Sequence, residues 1–408
     1  MATPLAWKNL KHNWVRTAVG MAGVGFAAML IFMQMGFKGA IERTATQIYD
    51  AIDFDLMLRS PAYLHLTEPR SFPRQRLLQA AAVPGVASAR PLHVGLTEWQ
   101  TPPRQGDSAP ATGAEQAAGV GIGRGILILG VEPDDAPFAA HRQDLRDAAR
   151  RLTSPRFLLM DTKTKPEYGP QAGNRFGPAD VGVRTGLGPN RVQIVGLFEL
   201  GSGMVCNGAC MTNVEGFYDA SPLETRGQVN LGLIKLQDPA AAPSVAEALR
   251  QALGAGAGDL ADVEVLTRAE VTAQERRRWM VETPFGAIFQ LGVVVAVFVG
   301  VAIVYQVLSN DIANMMSEYA TLKAIGYSND YLTGVVMKQS VLLAVVSFVP
   351  SLATAWALYR LIAQSAGIPM DLTLTIVVSV LLLTVLMCLA SGLAALRKLF
   401  SADPASLF

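Results

Sequence analysis

Four long stretches of the sequence contain no Asp, Glu, Lys or Arg. They cover residues 17–37, 283–310, 339–359 and 372–396. An α-helix rises about 1.5 Å per residue, so roughly 20 apolar residues cross a bilayer core of about 30 Å. The helical form is required because hydrocarbon offers no hydrogen-bond partner to a free backbone N–H or C=O. The sequence therefore predicts a membrane protein with four transmembrane helices.

The flanks of these stretches predict their orientation. Basic residues precede the first stretch and follow the fourth (Lys8, Lys11, Arg16, Arg397 and Lys398), whereas residues 361–371 contain no Lys or Arg. Short cytoplasmic loops are enriched in basic residues. We therefore expect both termini in the cytoplasm. The first stretch is too long for the core of a signal peptide, and no A-x-A cleavage site follows it, so we expect an uncleaved anchor.

These observations give the predicted organisation of the chain. Transmembrane helices are expected at 17–37, 284–308, 338–360 and 372–396. Residues 1–16 are expected to form an amphipathic cytoplasmic helix. Residues 309–337 are expected to form a cytoplasmic loop, and residues 397–408 a cytoplasmic tail. Outside the cytoplasm we expect a large domain at 38–283 and a short loop at 361–371. The fold class is membrane α-helical, with a large extracytoplasmic domain inserted between the first two spans.

The large domain is expected to be α+β. Short β-branched runs predict strands at 54–60, 90–99, 125–131, 156–160, 191–200, 230–236 and 263–267. Helical stretches are expected at 74–82 and 244–253, and each runs into a strand. Helix-then-strand units at both ends indicate an α+β domain with a β-rich insertion. Residues 101–124, rich in Pro, Gly and Ala, predict a loop.

The segments that connect this domain to the first two spans lack strand alternation. Residues 39–52 and 271–282 are rich in helix-compatible side chains. We expect both to be helical and to act as a stalk that carries motion between bilayer and domain.

Cys206 and Cys210 lie in the domain, separated by Asn-Gly-Ala. Outside the cytoplasm a disulfide between them would persist, and Asn-Gly permits a tight turn. Two free thiols fit the spacing equally well, and no histidine nearby suggests a metal.

The sequence lacks the motifs of nucleotide and metal chemistry. It has neither G-x-x-x-x-G-K-[ST] nor H-E-x-x-H, and its four histidines are scattered. A formal net charge of +1 gives no basic patch for nucleic acid. The span interiors hold no charges of the kind that secondary transporters and pumps use. We expect no enzyme activity and no cofactor in this chain, so any energy comes from another subunit.

Small residues on one face of the second span predict close helix contacts. Gly292, Ala296 and Gly300 recur every four residues, a spacing that lets helix backbones approach closely. The partner is either another helix of the same chain or a second copy in a dimer.

The cytoplasmic loop contains a short amphipathic pattern that Gly326 is expected to end. Tyr319, Leu322 and Ile325 recur at helical spacing, while Glu318 and Lys323 point elsewhere. Such a helix either lies on the lipid surface or docks into a groove of a partner, and its mixed charge favours docking.

Several segments resemble one family of membrane proteins. Glu318–Tyr327, EYATLKAIGY, is similar to the coupling-helix signature of the FtsX/MacB permease superfamily, most closely its DevC-type branch. The segments 4–10, 32–37, 71–77 and 397–404 look DevC-like as well. Ser317 departs from the pattern, which often has Arg there, and Cys206 and Cys210 do not belong to it.

This resemblance implies the permease subunit of a type VII ABC exporter in the bacterial inner membrane, with the large domain in the periplasm. Such permeases act as homodimers with two copies of a separate cytoplasmic ATPase, which holds ATP and Mg²⁺, and the coupling helix contacts that ATPase. DevC-type systems add a HlyD/DevB-like periplasmic adaptor and a TolC-like outer-membrane duct. The implied mechanism is mechanotransmission, with export of a lipid-like or hydrophobic substrate. A lipoprotein-releasing permease and an FtsX-like regulator of a cell-wall hydrolase remain alternatives.

Overall fold

The computed structural model describes most of the chain. The described residues are 14–102, 123–201, 206–222, 224–254, 262–314, 325, 329–366, 368 and 370–401. The chain divides into two compact units: Met1–Ala40 with Met280–Phe408, and Ile41–Trp279. The first is a helical membrane unit and the second an α+β domain, so the predicted fold class is confirmed.

Four long helices make up the described part of the membrane unit. They are α1 (Trp14–Ala51), whose last turns belong to the large domain, α7 (Pro284–Asn314), α8 (Asn329–Ala366) and α9 (Leu374–Ser401). Each contains a segment long and apolar enough to cross a membrane: Ala18–Ala51, Gly286–Asn310, Thr333–Ser365 and Leu374–Leu396. The helices extend beyond the predicted spans, because polar residues at a membrane surface continue a helix as readily as apolar ones.

The membrane helices pack through small side chains and hydroxyl groups. Ser351 of α8 donates to the carbonyl oxygen of Gly25 at 3.0 Å, and Ser391 of α9 donates to that of Val301 at 3.0 Å. Interhelical bonds of this kind hold helices together where the hydrophobic effect supplies no driving force.

One half of the large domain is a four-stranded antiparallel sheet with two helices on one face. Its chain order is β1 (Leu56–Arg59), β2 (Phe72–Pro73), α2 (Gln75–Ala81) and β3 (Val86–Gln100), then, after the insertion, β9 (Gln228–Val229), β10 (Leu231–Leu236), α5 (Ala242–Leu253) and β11 (Glu264–Thr267). The strands lie in the order β11-β1-β10-β3. Numbered along the chain this order is 4-1-3-2, the arrangement of a split βαβ or ferredoxin-like unit. The apolar core between sheet and helices includes Leu56, Leu77 and Leu249.

The insertion forms a closed barrel of six strands. It contains β4 (Gly123–Val131), α3 (Gln143–Ala149), β5 (Phe157–Asp161), β6 (Arg184–Leu187), β7 (Asn190–Phe198), β8 (Ala209–Asn213) and α4 (Val214–Ala220). The pairing runs β3-β4-β8-β5-β7-β6, and Trp99 of β3 pairs with Leu187 of β6 to close the ring. Strand β3 serves both halves: its first residues pair with β10 and its last eight with β4.

All seven predicted strands and both predicted helices of the domain are present. The prediction missed β2, β6, β8, β9, α3 and α4, which are short. Of the predicted loop 101–124, residues 103–122 lie outside the described part of the chain, and the loop assignment was wrong for Gly123 and Arg124, which begin β4. The two connecting segments predicted to be helical are so: α1 continues to Ala51, and α6 (Arg268–Arg277) is followed by a π-helical turn, Arg278–Glu282.

Candidate functional site

The first and last segments of the large domain are joined by a buried polar network. The first segment is the end of α1, and the last is α6. We call the network formed by Tyr49, Arg59, Tyr63, Arg268 and Glu275 the boundary network. Its five residues come from parts of the chain about 200 residues apart, so only the folded domain brings them together.

A capping box fixes the start of α6. The Thr267 hydroxyl accepts a hydrogen bond from the Glu270 N–H at 3.2 Å, and the Glu270 carboxylate accepts one from the Thr267 N–H at 2.7 Å. These bonds satisfy two of the donors that a helix N-terminus leaves free. They also hold Arg268, the first residue of the helix, in place.

Arg268 binds the C-terminal end of α1. Its guanidinium donates to the backbone carbonyl oxygens of Tyr49 at 2.8 Å, Ile52 at 3.1 Å and Phe54 at 3.2 Å. The last carbonyl groups of a helix lack intrahelical partners and carry partial negative charge, so a cation there is favourable. The guanidinium also lies 4.7 Å from the centre of the Phe54 ring. One side chain of α6 thus caps α1.

Glu275, further along α6, contacts two tyrosine hydroxyls. The Tyr63 and Tyr49 hydroxyls donate to its Oε1 atom at 2.8 and 3.0 Å, and the two hydroxyl oxygens lie 2.7 Å apart. All three side chains are at most 3% exposed. The two tyrosine hydroxyls supply two hydrogens for three contacts, so at most two of these contacts are hydrogen bonds donated by a tyrosine at one time.

Arg59 completes the network from strand β1. It is 3% exposed and donates through Nε to Glu264 of β11 and through Nη2 to Gln274 of α6. Its guanidinium lies 4.3 Å from the centre of the Tyr63 ring, a cation–π contact. Burial, followed by the neighbouring Glu275 carboxylate, raises the pKa of Tyr63 well above its usual range. Tyr63 therefore stays a proton donor at any physiological pH.

The boundary network joins α1 to α6. Within the part of the chain that the structure describes, no group of three or more His, Cys, Asp or Glu residues is arranged for a metal. A buried charge that loses its partner costs several kcal/mol, so separating α6 from the end of α1 is unfavourable.

The predicted small-residue face of the second span lies in contacts within the chain. A Cβ atom added to Gly292 would lie 2.5 Å from the Gln34 side chain of α1. One added to Gly300 would lie 2.1 Å from the Met387 sulfur and 2.8 Å from Ala27 Cβ. Ala296 is 3% exposed. All three residues therefore lie in contacts within the chain, and a contact of this face with a second copy stays a prediction.

Most of the predicted coupling helix falls outside the described residues. This holds for Glu318, Tyr319, Leu322, Lys323 and Gly326. Ile325 is described, and its side chain is 70% exposed. The role of this segment stays a prediction.

The two cysteines of the large domain are not bonded to each other in the structure. Cys210 is fully buried on β8, inside the barrel, and Cys206 is partly buried just before that strand. The Cys206 thiol lies 3.6 Å from the Gly125 carbonyl oxygen. The disulfide between Cys206 and Cys210 stays a prediction.

The sequence interpretation missed every residue of the boundary network. Arg59 and Glu275 look like ordinary charged residues at the end of a strand and on a polar helix. The available signal was weak: Arg59 directly follows a run of three apolar residues, Leu56–Leu58, in a predicted strand.

Comparisons with known proteins concern mainly the membrane unit. A family model described as the FtsX-like permease C-terminal domain matches residues 291–404, which cover most of α7, all of α8 and α9, and the segment that connects α7 to α8. No curated protein matches the sequence.

Two solved structures are similar to part of the chain. The periplasmic region of MacB from Actinobacillus actinomycetemcomitans is 7% identical, with 56% of this chain and 94% of that chain covered and a TM-score of 0.34. The extracellular domain of the noncanonic ABC-type transporter YknZ from Gram-positive bacteria is 11% identical, with 52% and 99% covered and a TM-score of 0.30. TM-scores this low do not establish a shared fold.

Residues 291–404 are therefore similar to the C-terminal part of FtsX-like permeases, and the four apolar helices are long enough to cross a membrane.

Proposed function

We propose that the chain is the transmembrane subunit of an ABC exporter that transmits motion to its periplasmic domain instead of conducting substrate through its helices. The observation that carries this proposal is the boundary network. Arg268 and Glu275 on the last segment of the domain bind the end of α1 and the residues that follow it, through three backbone carbonyl groups and two tyrosine hydroxyls.

A rigid connection is what mechanical transmission needs. Helices α1 and α7 cross the membrane, and the large domain lies between them in the sequence. If α1 and α6 could slide past each other, motion of the spans would be lost as local rearrangement. Breaking the network would leave buried polar groups without hydrogen-bond partners, and each such group costs about 1–3 kcal/mol. The two helices therefore stay joined, and motion of the spans is passed to the large domain.

The proposal includes the partners that the sequence resemblance implies. The termini and the loop with Ile325 face the cytoplasm, where a separate ABC ATPase binds ATP and Mg²⁺ and docks on that loop. Two copies of the chain form the permease, with a HlyD-like adaptor and a TolC-like duct on the periplasmic side. The substrate class is lipid-like or hydrophobic. The basic flanks of the spans and the FtsX-like match support this arrangement.

The test measures nucleotide-driven motion of the large domain without needing the substrate. Leu78 on α2 is 67% exposed and accepts a spin label as Leu78→Cys in a chain that also carries Cys206→Ser. The permease is purified with its ATPase, and pulsed EPR gives the distance between labels in the two copies. We expect this distance to change between the nucleotide-free and the vanadate-trapped states. An unchanged distance, or no second copy, contradicts the proposal.

A matched pair of variants then tests the boundary network. Glu275→Gln keeps the shape of the side chain and removes its charge, whereas Glu247→Gln makes the same change on α5, where the carboxylate is 58% exposed. We expect ATP hydrolysis to persist in both variants and the distance change to shrink only in Glu275→Gln. Equal distance changes in the two variants would show that the network does not transmit motion.

A further inference from the structure

Two exposed arginines stand at the C-terminal end of the last helix of the large domain, shortly before the second span. Arg276 and Arg277 end α6, and both side chains are exposed. The charge-free stretch of the span begins at Thr283. Six residues of fully extended chain reach at most about 22 Å, so the arginines are tied close to the membrane surface whatever the arrangement of the two units.

Neither guanidinium has an ion-pair partner within the described ranges of the chain, although most neighbouring charges do. On α6 itself, Glu270 is bound to Thr267 and Arg250, and Glu275 to two tyrosines. Helical neighbours lie three and four residues away, and around Arg276 and Arg277 these positions are Thr272, Ala273, Gln274, Trp279, Met280 and Val281. No acid among them neutralises the pair.

The position of this charge also departs from the usual distribution. Arginine and lysine are enriched on the cytoplasmic flanks of membrane spans, yet here they stand on the side of the large domain. Arg278 and then Trp279 follow them, and tryptophan is a residue type that favours the membrane–water interface. Two unneutralised cations beside an interfacial tryptophan match the chemistry of a lipid headgroup layer, because guanidinium groups bind phosphate oxygens through paired hydrogen bonds.

We propose that Arg276 and Arg277 bind the phosphate groups of anionic lipids in the leaflet next to the large domain. The long apolar stem of each arginine lies along the helix while its head reaches the phosphate layer. The site anchors the end of α6 to that layer. This inference is independent of the transport function, because it requires only that the second span crosses a membrane.

The test compares lipid binding by the full-length chain and two double variants. Phosphatidylglycerol is titrated into the purified protein in mixed micelles, and bound lipid is counted by native mass spectrometry. Each basic residue near an anionic surface contributes a factor of about five, so Arg276→Gln with Arg277→Gln should weaken binding by roughly 25-fold. The matched control is Arg184→Gln with Arg191→Gln, which removes two exposed arginines of the barrel.

Two further arms identify the source of the phosphate. Phosphatidylcholine, which is zwitterionic, should bind more weakly and respond little to either double variant. Inorganic phosphate should not compete at the concentration of the lipid phosphate. Equal phosphatidylglycerol binding by the wild-type chain and the Arg276 and Arg277 double variant would overturn the proposal. Full competition by inorganic phosphate would overturn the assignment to a lipid.

Discussion

The guanidinium of Arg268 donates a hydrogen bond to the backbone carbonyl oxygen of Tyr49 at 2.8 Å, so the first residue of α6 holds the last turn of α1. Two more carbonyl groups, of Ile52 and Phe54, share the same side chain. Most ion pairs of the domain join side chains at its surface, whereas this contact joins one side chain to three backbone groups. It therefore fixes the path of the chain where the domain begins.

We expect Arg268→Met to destabilise the large domain by roughly 2–4 kcal/mol, because three carbonyl groups lose a charged donor. The melting temperature of the purified full-length chain, followed by tryptophan fluorescence, measures the effect. Arg226→Met is the control, since Arg226 is 67% exposed and pairs only with Glu215 and Asp219. A surface pair contributes about 0–1 kcal/mol. Similar melting temperatures for the two variants would contradict the cap.

A second prediction concerns the pH dependence of stability. His93 of β3 is 2% exposed and packs between the rings of Phe217 and Tyr218, with ring centres 5.3 and 5.1 Å away. Burial, with the positive charge of Arg74, lowers the pKa of His93 to about 4. The unfolded chain takes up this proton near pH 6.5 and the folded one does not. The contribution of His93 to the free energy of unfolding is therefore fully present above pH 6.5 and is lost as the pH falls to about 4. This loss is at most about 3 kcal/mol.

The measurement compares the wild-type chain with His93→Gln, which cannot titrate in this range. Other groups change their protonation equally in both proteins, so the difference between the two curves reports His93 alone. We expect the wild-type melting temperature to fall more steeply than that of the variant between pH 6.5 and 4. Parallel curves would show that His93 takes up its proton at the same pH in the folded domain as in the unfolded chain.

The sequence predicted those elements whose signal is local. Charge-free stretches located the four helices, and β-branched runs located strands such as β4 and β7. Strand β8, Ala209–Asn213, was missed because its residues Ala209, Cys210 and Asn213 have no strong β preference and follow an Asn-Gly turn signal. Its pairing with β4 and β5 comes from the closure of the barrel, which is a tertiary effect.

Local sequence patterns could not predict the boundary network, for a different reason. Tyr49 and Glu275 are separated by 226 positions, and each looks like an ordinary polar residue of a helix. The periodicity of the segments 39–52 and 271–282 indicates only that both are helical. Which side chains face each other depends on the sheet order β11-β1-β10-β3, which the sequence does not reveal.

A third prediction follows from the close contacts of Gly300. We expect Gly300→Leu to destabilise the membrane unit, because even a Cβ atom there would lie 2.1 Å from the Met387 sulfur. Overpacking of this kind costs about 1–3 kcal/mol. Gly334→Leu on α8 is the control, since no atom lies within 4 Å of a Cβ added there. Monodisperse protein recovered after heating in detergent measures the difference, and equal recovery would contradict packing at Gly300.

The cysteines give a fourth prediction. Burial raises the pKa of the Cys210 thiol well above its usual range, whereas Cys206 is partly exposed. Because the thiolate is the reactive form, a maleimide should modify Cys206 in the folded protein and reach Cys210 only after unfolding. Mass spectrometry of the peptides locates the label. Cys206 that reacts only after reduction would instead establish the Cys206–Cys210 disulfide.

The last prediction concerns the cytoplasmic contact with the ATPase. Ile325 is 70% exposed, and the surrounding sequence places Leu322 and Tyr319 on the same helical face. We expect Ile325→Asp or Leu322→Asp to detach the ATPase, because an unpaired carboxylate buried in an apolar groove costs several kcal/mol and each 1.4 kcal/mol weakens binding about tenfold. The amount of ATPase that co-purifies with the tagged chain measures this binding.

Ile325→Leu is the matched control, since it preserves apolar volume and should retain the ATPase. Loss of Glu318 should cost less, because a charge at the rim of a groove stays solvated. If Ile325→Asp co-purifies with as much ATPase as Ile325→Leu, the helix lies on the lipid surface and the ATPase docks elsewhere.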